Sequence, residues 1–322
     1  MSAPPTMVDL RTSVADVELR NPVMTASGTA GHGAELSAYM DLGHLGAVVV
    51  KSVSSRPWDG NPAPRLLPLT GGMLNSVGLQ NRGAREWVES ELPPLAATGA
   101  RVVASIWGFS AAEYRDAAAE IAGAFHEGRR GTDQIVAVEA NISCPNVEDR
   151  RRMFAHSTGG VSEAVGAAVE GIDGVLPLWA KLSPNVTDVT EMAAAARAAG
   201  ARAITVINTV MGMSIDPATG RQRLGGGGGG LSGPAVHAVA VRAVFDCRQA
   251  FPTLPIVGVG GVTSGEEAAE MIAAGADAVQ VGTATFADPR APERILAELG
   301  QWCDHNGISS IDQLKGRAHD GR

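Results

Sequence analysis

Cysteine is scarce in this 322-residue chain: Cys144, Cys247 and Cys303 are the only three, widely spaced and odd in number. A disulfide framework is therefore excluded, and a reducing, cytoplasmic compartment is expected. Three scattered thiols also fall short of a four-cysteine iron–sulfur cluster, and no metal site is expected. Positive charge is not in surplus either. With 26 basic against 34 acidic residues, a formal net charge of -8, the chain offers no basic face to nucleic acid or to an anionic membrane, so its partner should be small. The opening MSAPPTMVDLRTS has neither the basic stretch nor the apolar core of a signal peptide. No run approaches the roughly 18 apolar residues that a membrane helix needs.

What the chain does have is alternation. Short β-branched runs take turns with longer Ala-rich amphipathic ones, the pattern of βα units around a parallel sheet, and 45% hydrophobic residues suffice for a large core. Eight strands are predicted: VMTASG (23–28), AVVVKSV (47–53), RVVASI (101–106), VAVEANIS (136–143), LWAKLS (178–183), AITVIN (203–208), PIVGVGG (255–261) and AVQVGT (278–283). Eight is the strand number of a (β/α)8 barrel, and one such α/β barrel over residues 1–322 accounts for the length as a single domain. AELSAYMDLGHLG (34–46), DVTEMAAAARAAG (188–200) and SGEEAAEMIAAG (264–275) read as helices between strands. The segment from Val8 to Arg20 reads as a hairpin placed to plug the barrel floor.

Two connections are too long for plain turns, Ser54 to Asn81 and Met211 to Gly233, and loops of this size are often lids, here over the C-terminal face. The second holds six consecutive glycines. They read either as a flexible connector or as backbone drawn close to a ligand. As a dinucleotide fingerprint the run is poor, because no strand leads directly into it and Leu231-Ser232-Gly233-Pro234 follows in place of an uninterrupted helix start.

The unusual polar residues fall at the C-terminal ends of the predicted strands, the face where barrel enzymes keep their chemistry. Ser27, Lys51, Ser52, Ser105, Asn141, Lys181, Asn208 and Thr209 converge on one mouth, with Cys144 just beyond the fourth strand. Gly260-Gly261 and Gly282-Thr283 end the last two strands, where backbone amides beside a helix start can cradle a phosphate. A lysine in a barrel mouth is costly unless it meets an anion. Reduced flavin and a carboxylate would meet both lysines, with Lys181 beside the flavin N1 and C2 carbonyl and Lys51 between flavin and carboxylate. Asn75, Asn141, Asn146 and Asn208 could together read a ring edge bearing N–H and C=O groups, although a single asparagine is more often a turn former. A lone cysteine is usually a small buried hydrophobe; over such a mouth, with no histidine near it in sequence, Cys144 becomes a general base.

These residues carry a family resemblance. NPVMTASGT, VVVKSV, GMLNSVGLQN, NISCPN, KLSPNVTD, VINT, GGLSGPA and GVGGV, in that order over nearly the whole chain, resemble the class 1 dihydroorotate dehydrogenases. The resemblance implies FMN held by Ser27, Lys51, Ser52, Asn141, Lys181, Ile207, Gly233, Gly260, Gly261, Gly282 and Thr283. It implies dihydroorotate or orotate contacted by Lys51, Asn75, Ser76, Val77, Gly78, Leu79, Asn141, Asn146, Asn208 and Thr209. Cys144 would take the C5 proton of dihydroorotate while a hydride leaves C6 for the flavin N5.

LNSVGLQN and MGMSID look most like the class 1B members, which work as homodimers and pass electrons to NAD through a second subunit carrying FAD and an iron–sulfur cluster. Three departures stand out: Ser105 where such sites place Asn, Arg82 where they favour Pro, and Glu148-Asp149-Arg150-Arg151-Arg152-Met153-Phe154 in place of a glycine-rich stretch. A dihydropyrimidine dehydrogenase-like reductase and a redox-inactive phosphate-binding barrel are the alternative functions.

Overall fold

The computed structural model describes residues 8–142 and 154–320, so Cys144, Asn146 and the charged run 148–152 lie outside the described residues. An antiparallel hairpin, β1 (Thr12–Val14) and β2 (Val17–Leu19), comes first. The strands that follow are β3 (Val23–Thr25), β4 (Val48–Val49), β5 (Leu66–Leu69), β6 (Gly72–Asn75), β7 (Val102–Ile106), β8 (Ile135–Asn141) and β9 (Leu178–Leu182). The series ends with β10 (Ala203–Val206), β11 (Val210–Gly212), β12 (Gly229–Ser232), β13 (Ile256–Val259) and β14 (Ala278–Val281).

Eight of these form one parallel sheet in the order β3-β14-β13-β10-β9-β8-β7-β4. A parallel bridge between Met24 and Ala47 joins its two ends into a barrel, and all eight predicted strands are present. They are shorter than predicted at their C-terminal ends, since residues such as 26–28, 207–208 and 282–283 leave the sheet to form the mouth. The helices Ala111–His126, Thr158–Ile172, Val189–Ala198, His237–Ala250, Gly265–Ala273 and Ala291–His305 cover the outside. Ser264 and Glu267 start one of them with a reciprocal capping box. The helix predicted over 34–46 is instead two 3-10 turns, Glu35–Ala38 and Leu42–His44. Asp41 accepts from Gly43 N at 2.9 Å and breaks the run locally.

The barrel interior explains how a site is built above a dry floor. Val14, Val17 and Leu19 of the hairpin cluster with Met24, Val49, Val103, Ala137, Trp179, Ala203, Val257 and Ala278, one residue from each barrel strand. The hairpin therefore plugs the floor. Because side chains alternate along a strand, the next inward position lies two residues further on, and there the character changes to Ser105, Glu139, Lys181, Thr205 and Gln280, all buried. Outward-facing strand residues such as Val48, Val102 and Ile204 pack under the helices in a second core.

The two long connections are not independent loops. Strands β5 and β6 from one and β11 and β12 from the other join in a four-stranded sheet, β11-β12-β6-β5. That corrects one reading of the glycine run. It is not a slack connector, because Gly229 and Gly230 are strand residues whose added Cβ atoms would overlap the Asn75 carbonyl and the Thr209 side chain, and Gly230 also lines the cavity under this sheet. Glycine is needed there so that two backbones and a side chain can approach one another.

Candidate active site

A single cavity of about 1100 Å³, its open mouth included, lies over the C-terminal ends of the barrel strands and under the β11-β12-β6-β5 sheet. One end is glycine-rich. Gly233, Gly260, Gly261, Gly282 and Thr283 come together there from the ends of β12, β13 and β14. Gly261 and Gly233 adopt φ of +69° and +96°, and a Cβ on Gly261 would lie 2.8 Å from the Gly233 carbonyl oxygen, so these turns close only without side chains. Ser232 and Thr283 tie the turns together through a 2.8 Å hydroxyl contact. The helix His237–Ala250 begins beside them, and His237 Nδ1 lies 2.9 Å from the Gly260 carbonyl.

Along the floor runs a chain of short polar side chains. Ser27 and Ser52 hydroxyls are 3.1 Å apart, Asn141 Nδ2 donates to Ser52 at 3.1 Å, and Asn208 Nδ2 donates to Asn141 Oδ1 at 3.1 Å. Tyr114 donates to the Asn141 carbonyl at 2.7 Å and fixes the end of β8. Ser105 lies fully buried behind this chain, 2.8 Å from the Ser52 hydroxyl, so the departure at 105 acts on Ser52 and not on the cavity surface. Lys181 reaches the floor from β9, and Lys51 stands near Gly28, where a Cβ would come within 3.4 Å of its Nζ. Burial and then the Lys51 charge hold His32, on the same loop as Gly28, below the ordinary imidazole range.

The far wall comes from the β6 side. Asn75, Val77, Gly78 and Leu79 line it, with Gly78 and Leu79 both at positive φ and Trp58 Nε1 donating to the Gly78 carbonyl at 2.9 Å. A leucine at φ +62° is held against its preference, a feature that clusters at functional sites. Ser76 is the exception among the predicted contacts. It is fully buried away from the cavity, its hydroxyl accepting from Asn61 at 3.0 Å and its N–H donating to the Arg65 carbonyl.

All the other predicted residues that are described line the one cavity: Ser27, Lys51, Ser52, Asn75, Val77, Gly78, Leu79, Asn141, Lys181, Ile207, Asn208, Thr209, Gly233, Gly260, Gly261, Gly282 and Thr283. None of its described lining residues is Asp, Glu, His, Cys or Tyr. Cys144 and Asn146, expected as base and substrate contact, lie outside the described residues.

Comparison with known proteins agrees with this geometry. The family model for dihydroorotate dehydrogenase matches residues 9–302. The chain belongs to this family. It is 43% identical over 308 residues to the catalytic subunit of dihydroorotate dehydrogenase B (NAD(+)) of Geobacter sp. (strain M21), covering 96% of this chain and 97% of that one. The subunit of the same name from Citrifermentans bemidjiense is 42% identical over the same length, and that of Trichlorobacter lovleyi is 42% identical over 303 residues. Membership of the dihydroorotate dehydrogenase family makes the chain an oxidoreductase with a flavin cofactor, and the redox-inactive barrel is set aside.

Several residues that support the cavity from behind are not among those expected from the sequence. Asn185 donates to the Thr209 carbonyl at 3.0 Å and accepts from Met211 N at 2.8 Å, holding the strand-ten exit in place. Glu139, Thr205 and Gln280 underlie the floor. Strand alternation was the signal for these three, since each lies two residues beyond an inward floor position.

The other two cysteines are structural. Burial pushes Cys247 up to about 12 and also raises Cys303, so neither forms a reactive thiolate near neutral pH. Alkylation of the native protein, read by mass spectrometry, is expected at Cys144 alone, with the other two modified only after denaturation. Label on Cys247 before unfolding would contradict its buried placement.

Proposed function

We propose that this chain oxidises dihydroorotate to orotate with FMN held in the cavity, and that it supplies the catalytic half of an NAD-linked enzyme. The observation that carries this reading is the polarity of one continuous cavity: glycine turns and a helix start at one end, two lysines and an asparagine chain at the other. Gly233, Gly260, Gly261, Gly282 and Thr283 suit a phosphate, since these turns bring backbone amides together beside a helix start so closely that a Cβ on Gly260 or Gly261 would overlap Ala240 or His237 of that helix. Ser27, Ser52, Asn141, Ile207 and Lys181 suit a flavin ring on the floor. FMN, when bound, supplies the two-electron acceptor for the hydrogen on C6.

The remaining work falls to the protein's own side chains. Lys51 binds the substrate carboxylate, and Asn75, Asn141 and Asn208, joined by Asn146, offer the paired donors and acceptors that a pyrimidine edge needs. Asn208 keeps its orientation because its Oδ1 accepts from Thr209 N at 2.7 Å while its Nδ2 donates to Asn141. Cys144 takes the proton from C5 as a general base. The β11-β12-β6-β5 sheet acts as the lid that keeps water from the reacting atoms, with Val77, Gly78 and Leu79 as its inner edge. The relatives' printed names call them catalytic subunits of an NAD(+)-linked enzyme, which supports a second, FAD- and iron–sulfur-bearing subunit as the route to NAD, joined to a homodimer of this chain.

An anaerobic absorption spectrum of the purified chain, before and after dihydroorotate, tests the reading. A yellow protein that bleaches on addition is the expected result. A yellow protein that does not bleach would rule out dihydroorotate as the substrate, and a colourless one that takes up no FMN would remove the flavin assignment.

A further inference from the structure

Beneath the cavity floor, Lys181 of the proposed flavin site is paired with a buried carboxylate, Glu139, that the proposed chemistry does not itself use, and β10 and β14 add neutral partners. Glu139 is 0% exposed. Its Oε2 accepts from Thr205 Oγ1 at 2.9 Å and from Gln280 Nε2 at 2.8 Å. Its Oε1 makes no hydrogen bond among the described residues and lies 3.8 Å from Lys181 Nζ. Gln280 Oε1 in turn accepts from Lys181 Nζ at 3.4 Å.

Gln280 bridges the pair, its oxygen toward Lys181 and its N–H toward Glu139, an orientation that suits an ammonium on one side and a carboxylate on the other. Among the described residues Glu139 is the only carboxylate paired with Lys181, and the other groups on it, Gln280 and Thr205, are neutral. A wholly buried carboxylate is costly to desolvate, and isosteric neutral residues would fill the space as well or better. Its place is one inward position below Asn141, against the lysine that lines the floor.

We propose that Glu139 is a positioning residue for the oxidation: it holds Lys181 as a charged ammonium at the cavity floor before the flavin is reduced. The inference rests on the proposed flavin site. Transfer of two electrons and one proton from dihydroorotate leaves one negative charge on the flavin. With Lys181 already charged, that charge meets a cation in place, and the lysine takes up no proton in the step. Without Glu139, a buried ammonium would face the neutral oxidised flavin with no counter-charge, a state that favours the uncharged amine. Reduction would then draw in a second proton.

The test is the pH dependence of the midpoint potential of bound FMN, which counts protons per two electrons by linkage. Wild type is expected to take up one proton around neutral pH and Glu139→Gln close to two, with Glu139→Asp returning toward one. A merely structural role would weaken FMN binding without changing the count. A count of one in Glu139→Gln with FMN bound, or of two in wild type, overturns the proposal. If Glu139→Gln does not fold, the reduced-minus-oxidised infrared difference spectrum of wild type decides: no protonated-carboxyl band should arise or vanish, and one that does overturns it. A wild-type protein that takes up no flavin overturns this inference and the functional reading together. A protein that bleaches with dihydroorotate but shows an unchanged proton count in Glu139→Gln overturns this inference alone.

Discussion

Replacing Cys144 with alanine is expected to slow dihydroorotate oxidation by roughly 100- to 10,000-fold at neutral pH, the usual worth of a positioned general base, while FMN stays bound. The expectation follows from what the cavity lacks. Its described lining supplies lysines, asparagines, hydroxyls and apolar groups, and no carboxylate, imidazole, phenol or thiol. The lysines are committed to anions in the proposed site, and the hydroxyls of Ser27 and Ser52 are engaged with one another. In the proposed reaction the acceptor of the C5 proton is therefore Cys144, in the NISCPN motif that follows β8. Cys144→Ser should retain a little activity that rises with pH, as a less acidic hydroxyl replaces the thiol. Stopped-flow bleaching of the flavin gives both rates, and an undiminished rate in the alanine variant would remove Cys144 from the mechanism.

The second large effect concerns stability at the opposite end of the barrel. Asp277, 6% exposed, immediately precedes β14, and its Oδ2 accepts from Arg248 at 2.8 Å and from Ile256 N at 2.7 Å while Oδ1 lies 3.1 Å from Lys315 Nζ. Arg248 is itself largely buried and also donates to the Gly275, Pro252 and Leu254 carbonyls, so one carboxylate joins two strands, a helix and the C-terminal region. Asp277→Ala leaves a buried guanidinium without its counter-charge and a strand N–H unpaired, and is expected to cost about 3–5 kcal/mol in urea unfolding. Asp277→Asn, which keeps an acceptor for Ile256 N, should cost less. A loss near zero for the alanine variant would mean that Arg248 finds compensation in the carbonyls alone.

Much of the architecture was legible along the chain because its signals are local. A β-branched run of five or six residues or a glycine at a turn is decided within one window, and the eight barrel strands and the floor hairpin are legible that way. The polar residues at strand ends were legible for the same reason, since the direction of a parallel strand fixes which end carries the mouth. The failures share a cause as well. The stretch 34–46 has helical spacing, yet Asp41 caps within the run and Gly46 at its end packs against the distant Asn21 carbonyl, so a local cap and a contact outside the window together leave only turns. Ser76 sits among true wall residues in sequence, but the pleat and Asn61 turn it away.

By itself the sequence determined the barrel, the direction of its mouth, the family and most of the residues that line the cavity, all of which follow from periodicity and from motifs of neighbouring residues. Only the tertiary structure decided that two loops some 150 residues apart form one sheet over the cavity, that Gly229 and Gly230 of the glycine run serve close packing, and that Glu139 and Gln280 meet under Lys181. Those pairings depend on how a closed barrel brings distant strands into register, and no window along the chain contains both partners.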